Sequence, residues 1–394
     1  MNGVRSILLC LLLALLAGCE TTSRQSHAPM TGDMQTDARA AISQGPARDR
    51  ILWEVRLAAA DMRKGEFADA RRVLDDVVTR LGGISAGDKS ARAARGVFGE
   101  ESKKTFRGEP YERAMAYYYR GILYWMDGEP DNARACFRSA QFEDSDAEQK
   151  EYAGDYSLPD YLDGLASVKL AGDGSDAFKR AKASSRSAVT PPYDPQANVL
   201  FFVDYGRGPT KYATGEYGEQ LRFLPGRSDA TRILVHLDDH YVAASFFDDL
   251  TFQATTRGGR VMDHILGNKA VFKSTTDVVG NVALIGGLAM ATQRGTQEAG
   301  LGLAAFGLLS KIVSSVSTPA ADTRCWDNLP QYLSFAALRA APGEHTAIVE
   351  FRDNSDRPLP SLTKTIKFKV NPTGKDTVLF VSDQSPSVLN YENQ

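Results

Sequence analysis

YYYRGILYWMDGEPDNARACFRSA, residues 117–140, is the stretch on which the fold of this chain turns. Tyr117, Gly121 and Tyr124 recur at i, i+4 and i+7, so they share one face of a helix. Gly128-Glu129-Pro130 then breaks the period, because glycine suits the end of one helix and proline the first turn of the next. Ala133, Phe137 and Ala140 restart the same spacing. The stretch predicts two antiparallel helices joined by a tight turn, with small residues where the two approach.

Upstream, the same grammar returns. Ile51, Val55, Ala58 and Met62 form one helical face, Gly65-Glu66-Phe67 interrupts it, and Ala70, Leu74, Val77 and Leu81 resume it before Gly82-Gly83. A glycine, an aromatic two positions on, an alanine five positions on and a large apolar residue four further resemble a tetratricopeptide repeat (TPR). The two turn glycines lie 128 − 65 = 63 residues apart, whereas adjacent repeats of this kind sit about 34 apart. An insertion near residues 83–108 is therefore expected, and its Lys-, Arg-, Gly- and Ser-rich sequence reads as an exposed excursion. A third, degenerate pair has Tyr161, Leu165 and Val168 on one helix and Ala177 and Ala181 on the next. Tyr117, Tyr118, Tyr124 and Trp125 read as repeat core with one exposed edge, or as a concave surface for an extended peptide or partner helix. They are the candidate partner-binding residues of a helical domain spanning residues 48–188.

Downstream, the serines and prolines of residues 184–195 mark a boundary. Strand patterns follow at 198–205, 232–237, 245–255, 345–351, 365–370 and 377–382, rich in Val, Phe and Thr. They predict an antiparallel or mixed sheet within residues 196–394. Between the third and fourth strands, 277–292 and 298–317 are apolar and dense in Gly and Ala. The first run has only 16 residues, short of the roughly 20 that span a bilayer, and Lys311 interrupts the second. Residues 277–317 read as a tightly packed helical hairpin of a soluble domain, with a membrane hairpin as the alternative. The expected fold class is α+β, a TPR-like α-helical repeat region followed by a β-rich domain that contains this hairpin.

The N-terminus has Arg5 followed by an apolar run at 6–17, the shape of a secretory signal. Leu16-Ala17-Gly18-Cys19 is similar to the lipobox of bacterial lipoproteins. That resemblance implies that residues 1–18 are removed, that Cys19 carries the lipid, and that residues 19–47 form a flexible tether. Glu20, where an Asp would favour inner-membrane retention, implies the periplasmic face of the outer membrane. Removing the leader takes Arg5 and Cys10 with it, leaving a net charge of 45 − 49 = −4. Cys136 and Cys325 then remain, read as two buried single cysteines in preference to a disulfide.

The chain of 394 residues is 43% hydrophobic and 24% charged, which suits two or three folded domains. Its near balance of charge leaves no basic footprint for nucleic acid. Five histidines make a histidine-rich metal enzyme a poor expectation. His236 and His240 on one extended strand would stand about 13 Å apart, too far to share a zinc. Gly206-Arg207-Gly208-Pro209-Thr210-Lys211 lacks phosphate-loop spacing and reads as a strand-end turn. No G-x-S-x-G, H-E-x-x-H or C-x-x-C occurs. Asp322 and Arg324 form a candidate ion pair beside Trp326, read first as a structural lock and second as a binding pocket. No catalytic residue, metal or cofactor is expected.

The lipobox, the TPR-like unit, the strand-turn at 199–211, the Gly/Ala segment and Asp322-Thr323-Arg324-Cys325-Trp326-Asp327-Asn328-Leu329-Pro330 together resemble a family of bacterial TPR-bearing lipoproteins of unassigned activity. Members accompany envelope lipoproteins that activate peptidoglycan synthases. The resemblance implies a non-enzymatic scaffold that binds other envelope proteins and reaches the membrane through its lipid. The alternatives are a small-ligand binder or enzyme in the β-rich half, and a secretion or pore accessory.

Overall fold

The computed structural model describes residues 30–83, 104–145, 154–186, 193–256 and 320–391. The lipobox with Cys19, most of the excursion near 83–108 and the Gly/Ala segment at 277–317 lie outside the described residues.

The first half is helical: α1 (Met34–Gln44), α2 (Arg50–Lys64), α3 (Phe67–Gly83), α4 (Pro110–Met126), α5 (Pro130–Asp144), α6 (Ser157–Lys169) and α7 (Ser175–Ser184). Each helix packs on the next in sequence. The α2–α3 and α4–α5 turns are built alike. Gly65 and Gly128 take the left-handed region, at φ +79° and +76°, and Glu66 and Glu129 donate their N–H groups to Asp61 and Tyr124 oxygens, both at 2.9 Å. A Cβ would be strained at either glycine. Gly121 has a different reason, since an added Cβ would lie 2.5 Å from the Phe137 ring. The glycine lets α4 and α5 close on each other.

Residues 34–44 correct the expected tether. They form α1, capped by Asp33, whose carboxylate accepts from the Thr36 N–H at 2.9 Å. Gln35 donates to Asp61 at 2.5 Å and to Glu66 at 2.8 Å, and Lys64 pairs with Asp33 at 3.3 Å. This helix docks mainly through polar groups, so apolar periodicity does not announce it.

The second half is a sheet of β1 (Val199–Tyr205), β4 (Arg232–Leu237), β5 (His240–Asp249), β6 (Tyr332–Leu338), β7 (Gly343–Arg352), β8 (Lys364–Val370), β9 (Thr377–Ser382) and β10 (Val388–Asn390). A separate hairpin pairs β2 (Thr210–Thr214) with β3 (Gln220–Leu224), and a short helix, α8 (Leu250–Thr255), follows β5. The sheet order is β10-β8-β7-β4-β5-β6-β1-β9, with β1–β9 and β8–β10 parallel. The strand expected at 245–255 ends at Asp249. There the side chain accepts from the Thr251 N–H at 2.8 Å and starts α8.

β1 is buried on both faces, which explains its unbroken apolar run. On one face Phe202 meets Tyr118 and Trp125 of α4, with ring centroids at 6.3 and 6.4 Å. On the other, Phe201 reaches Phe368 of β8 at 6.3 Å and Tyr205 reaches Phe351 of β7 at 6.2 Å. Neither strand neighbours β1, so the sheet curls back over itself. The outer edge of β9 is plugged by Tyr391, whose hydroxyl accepts from the Phe380 N–H at 3.0 Å and donates to the Phe380 carbonyl. Helices and sheet share one continuous apolar core.

Candidate functional site

The residues singled out by sequence gather at the seam between helices and sheet. A strap at residues 320–331 runs along it and is fastened chiefly by α2 and α4. Arg56 and Arg63, seven residues apart and so on one face of α2, hold it from one side. Arg56 donates to the Cys325 carbonyl at 2.8 Å and to Asp327 at 2.9 Å, and Arg63 donates to the Asn328 carbonyl at 2.5 Å. Asn328 returns a bond to the Arg56 carbonyl at 2.9 Å.

Asp322 and Arg324 do form the expected pair, at 2.6 Å. Arg324 also reaches Asp49 at 2.6 Å and the Lys104 carbonyl at 2.9 Å, and lies over the Phe106 ring. Its donors are spent on this chain, so the geometry is that of a clasp. Trp326 is buried, with its ring 5.9 Å from Tyr119, and among the described residues its indole N–H has no hydrogen-bond partner.

Lys211, read as the basic edge of a turn, is the ionic centre of the seam. Its side chain is 1% exposed, and its ammonium donates to Glu112 at 2.5 Å and to the Arg324 carbonyl at 3.0 Å. Burial alone would lower its pKa, but the charges of Glu112 and Glu109 outweigh that and raise it. Glu112 accepts from the Trp326 backbone N–H at 2.7 Å and from its own helix cap, the Glu109 backbone N–H, at 2.6 Å. One buried carboxylate thus ties α4, β2 and the strap together.

A second polar group was not anticipated. At the C-terminal end of β1, Asp204 is fully buried and accepts the Tyr119 hydroxyl at 2.6 Å, while its other oxygen has no partner among the described residues. Burial pushes its pKa up to about 7, against the lowering effects of the Tyr119 bond and of Arg63. Asp383, which accepts from the Gly206 N–H at 2.8 Å, is also raised by burial, and burial lowers Lys364 nearby. Asp248, on β5, caps α6 through the Ser157 and Leu158 N–H groups at 2.9 and 2.8 Å, and burial pushes it up to about 7. An acid that closes a continuous apolar strand, as Asp204 does in NVLFFVDY, was the available signal.

Of the candidate partner-binding residues, Tyr118 and Trp125 are 1% exposed and lie against the sheet, so they form no open docking edge. The Trp125 indole N–H donates to Asp376 at 3.0 Å. Tyr117 and Tyr124 remain half-buried, with Arg120 stacked 3.4 Å above Tyr124. His236 and His240 sit on different strands of the β4–β5 hairpin, and no metal-binding cluster occurs among the described residues. Cys136 and Cys325 are both free and buried. Burial pushes their thiols up to about 11 and about 12, so both stay protonated at neutral pH and are poor nucleophiles.

Among the clefts lined by the described residues, two carry buried or half-buried charged groups. One, of about 550 Å³, lies where α5, α6 and α7 meet, around Gln141, Asp160, Asp163 and Arg180. The other, of about 540 Å³, lies beside β9 around Trp125, Lys169, Asn198 and Asp376. Arg180 pairs with Asp160 at 2.9 Å in the first, and Lys169 with Asp376 at 2.6 Å in the second. No protein-family model matches the chain, and no curated protein or solved structure matches it either.

Proposed function

We propose that the protein is a non-enzymatic, lipid-anchored scaffold of the bacterial cell envelope, held through Cys19 at the periplasmic face of the outer membrane and binding other envelope proteins. The observation that carries this reading is Leu16-Ala17-Gly18-Cys19, placed just after an apolar run too short to span a bilayer. The chemistry of the seam supports it, because Lys211, Glu112, Arg324 and Asp322 are consumed by bonds within the chain. The matched turns at Gly65 and Gly128 support a relationship to TPR-bearing lipoproteins. Tyr117 and Tyr124 are the accessible part of the helical recognition edge.

Mass spectrometry of the N-terminal peptide tests the anchor, with a lipid on Cys19 and no residue before it as the expected result. A photo-crosslinking residue at Tyr117 or Tyr124 tests the scaffold in living cells. A discrete protein adduct that disappears in Cys19→Ala is expected, and adducts no different from those of an exposed control position count against it.

A further inference from the structure

Residues 339–342 join β6 to β7, which stand three places apart in the sheet with β5 and β4 between them. Three strand spacings come to about 14 Å, and the 343 − 338 = 5 steps from Leu338 to Gly343 reach at most about 18 Å. The connection therefore has little slack and crosses the end of the β4–β5 hairpin, where Leu237 pairs with His240 and Asp238-Asp239 make the turn. Asp238 takes the left-handed region there, at φ +51°, in which L-residues are uncommon.

One side chain fastens the connection to the turn that it crosses. His345, near the start of β7, shares a strand face with the buried Ala347 and Val349, and its ring stacks on Phe368 of β8 with centroids at 5.6 Å. Its side chain is 11% exposed. Nδ1 lies 3.0 Å from an Asp238 carboxylate oxygen, and Nε2 lies 2.8 Å from the Ala341 carbonyl oxygen. A carboxylate and a carbonyl only accept. Neutral imidazole carries one N–H, so each of its tautomers would set a lone pair against one of these two oxygens, whereas the imidazolium donates to both. Asp238 is the one charged group within ion-pair distance of the ring among the described residues. Asp239 and His240 follow it on the hairpin, and Arg339 of the connection is held by Asp194 at 2.6 Å. Glu344 beside the ring, and Lys367 and Lys369 on β8, alternate to the opposite face.

We infer that His345 is a proton-operated clasp, which as the imidazolium holds the 339–342 connection down on the β4–β5 turn and on losing a proton keeps the Ala341 carbonyl and releases Asp238. Asp238 is the partner released because the ionic attraction ends with the ring's charge, and because its side chain is 54% exposed, so water replaces the ring. Histidine is the side chain whose charge ordinarily changes between about pH 5 and 8. The turn is therefore fixed in acid and free in mild alkali, and with it the hairpin end that carries Tyr241, 73% exposed.

The test places a nitroxide spin label at Asp239→Cys in the full chain, with Phe142→Cys on α5, 76% exposed, as the control. Cys136 and Cys325 are buried against labelling. From pH 5 to pH 9 the rotational correlation time at 239 is expected to fall several-fold while that at 142 holds. Histidine ¹⁵N spectra of the same chain should show both ring nitrogens of His345 protonated at pH 5 and Nε2 alone at pH 9. Asp238→Asn should abolish the pH dependence at 239, because an amide can either accept from Nδ1 or donate to it, and asparagine tolerates the left-handed region. Equal mobility at pH 5 and pH 9, in a chain whose His345 has lost its Nδ1 proton, overturns the clasp. So does a His345 with one ring proton at pH 5 or two at pH 9, and so does an equal loosening at 142. A pH dependence that survives Asp238→Asn assigns the effect to another group and overturns the role of His345.

Discussion

Tyr119 of α4 donates its hydroxyl to Asp204 of β1 at 2.6 Å, inside a core that neither side chain leaves. This bond spans the two layers of the protein, and its acceptor holds its proton far above the ordinary carboxylate range.

The sign of the pH dependence follows. Burial lifts Asp204 from 3.8 to about 7 in the folded chain, so the folded state binds the extra proton and stability falls as pH rises through that window. Thermal melts should lose stability from about pH 4 to pH 7 and level off above that, with a slope of up to about 1.4 kcal/mol per pH unit for each such group. Asp204→Asn should reduce the slope, leaving a remainder from Asp248, which burial raises to about 7, and from Asp61 and Asp160, which burial raises to about 6. An unchanged slope would count against a protonated Asp204.

Glu112→Gln should be among the most damaging single changes. It puts a neutral amide where the Lys211 ammonium, 1% exposed, had its 2.5 Å carboxylate and leaves it only the longer contact with Glu109 at 3.7 Å; breaking a buried pair on one side costs about 3–5 kcal/mol, so a loss toward the lower end is expected. The double change Glu112→Gln with Lys211→Met should cost less than Glu112→Gln alone in urea unfolding. A double variant as unstable as the sum of its parts would show that the two groups are not coupled.

Gly121→Ala puts a methyl 2.5 Å from the Phe137 ring. Alanine favours the helix by about 1 kcal/mol, yet overpacking costs about 1–3 kcal/mol, so a net loss in midpoint is expected. Phe137→Leu should restore part of it when combined with Gly121→Ala. A more stable single variant would mean that α4 and α5 separate more easily than their packing implies.

Thiol labelling at pH 8 should leave Cys136 and Cys325 untouched in the folded chain and modify both on unfolding, because burial raises both thiols. Rapid reaction of either in native buffer would contradict its burial.

Six helices were legible because each puts an apolar stripe at the helical period, and four of them meet at Gly65 and Gly128. Helix α1 was not, since Gln35, Asp33 and Lys64 attach it through polar bonds that leave no such stripe. The strand at Tyr332–Leu338 escaped notice because Ala336 and Ala337 dilute its pattern. Tyr118 and Trp125 show a different limit. Their spacing places them on one helix face, but whether that face meets solvent depends on Phe202, far along the chain and belonging to the sheet. The Asp322–Arg324 pair was readable from adjacency, whereas Glu112 and Lys211 find each other across 99 residues.

The place of β1 between β6 and β9 in the sheet has a consequence for synthesis. Helix α4 emerges from the ribosome long before β9, and Tyr391, which plugs the β9 edge, follows later still. Until then Tyr118, Trp125 and Phe202 lack their final cover, and long-range contacts of this kind form slowly. The nascent chain must be kept from aggregating until β9 and Tyr391 arrive, and a chain stopped just before Tyr391 should be harmed more than one carrying a single change at an exposed position.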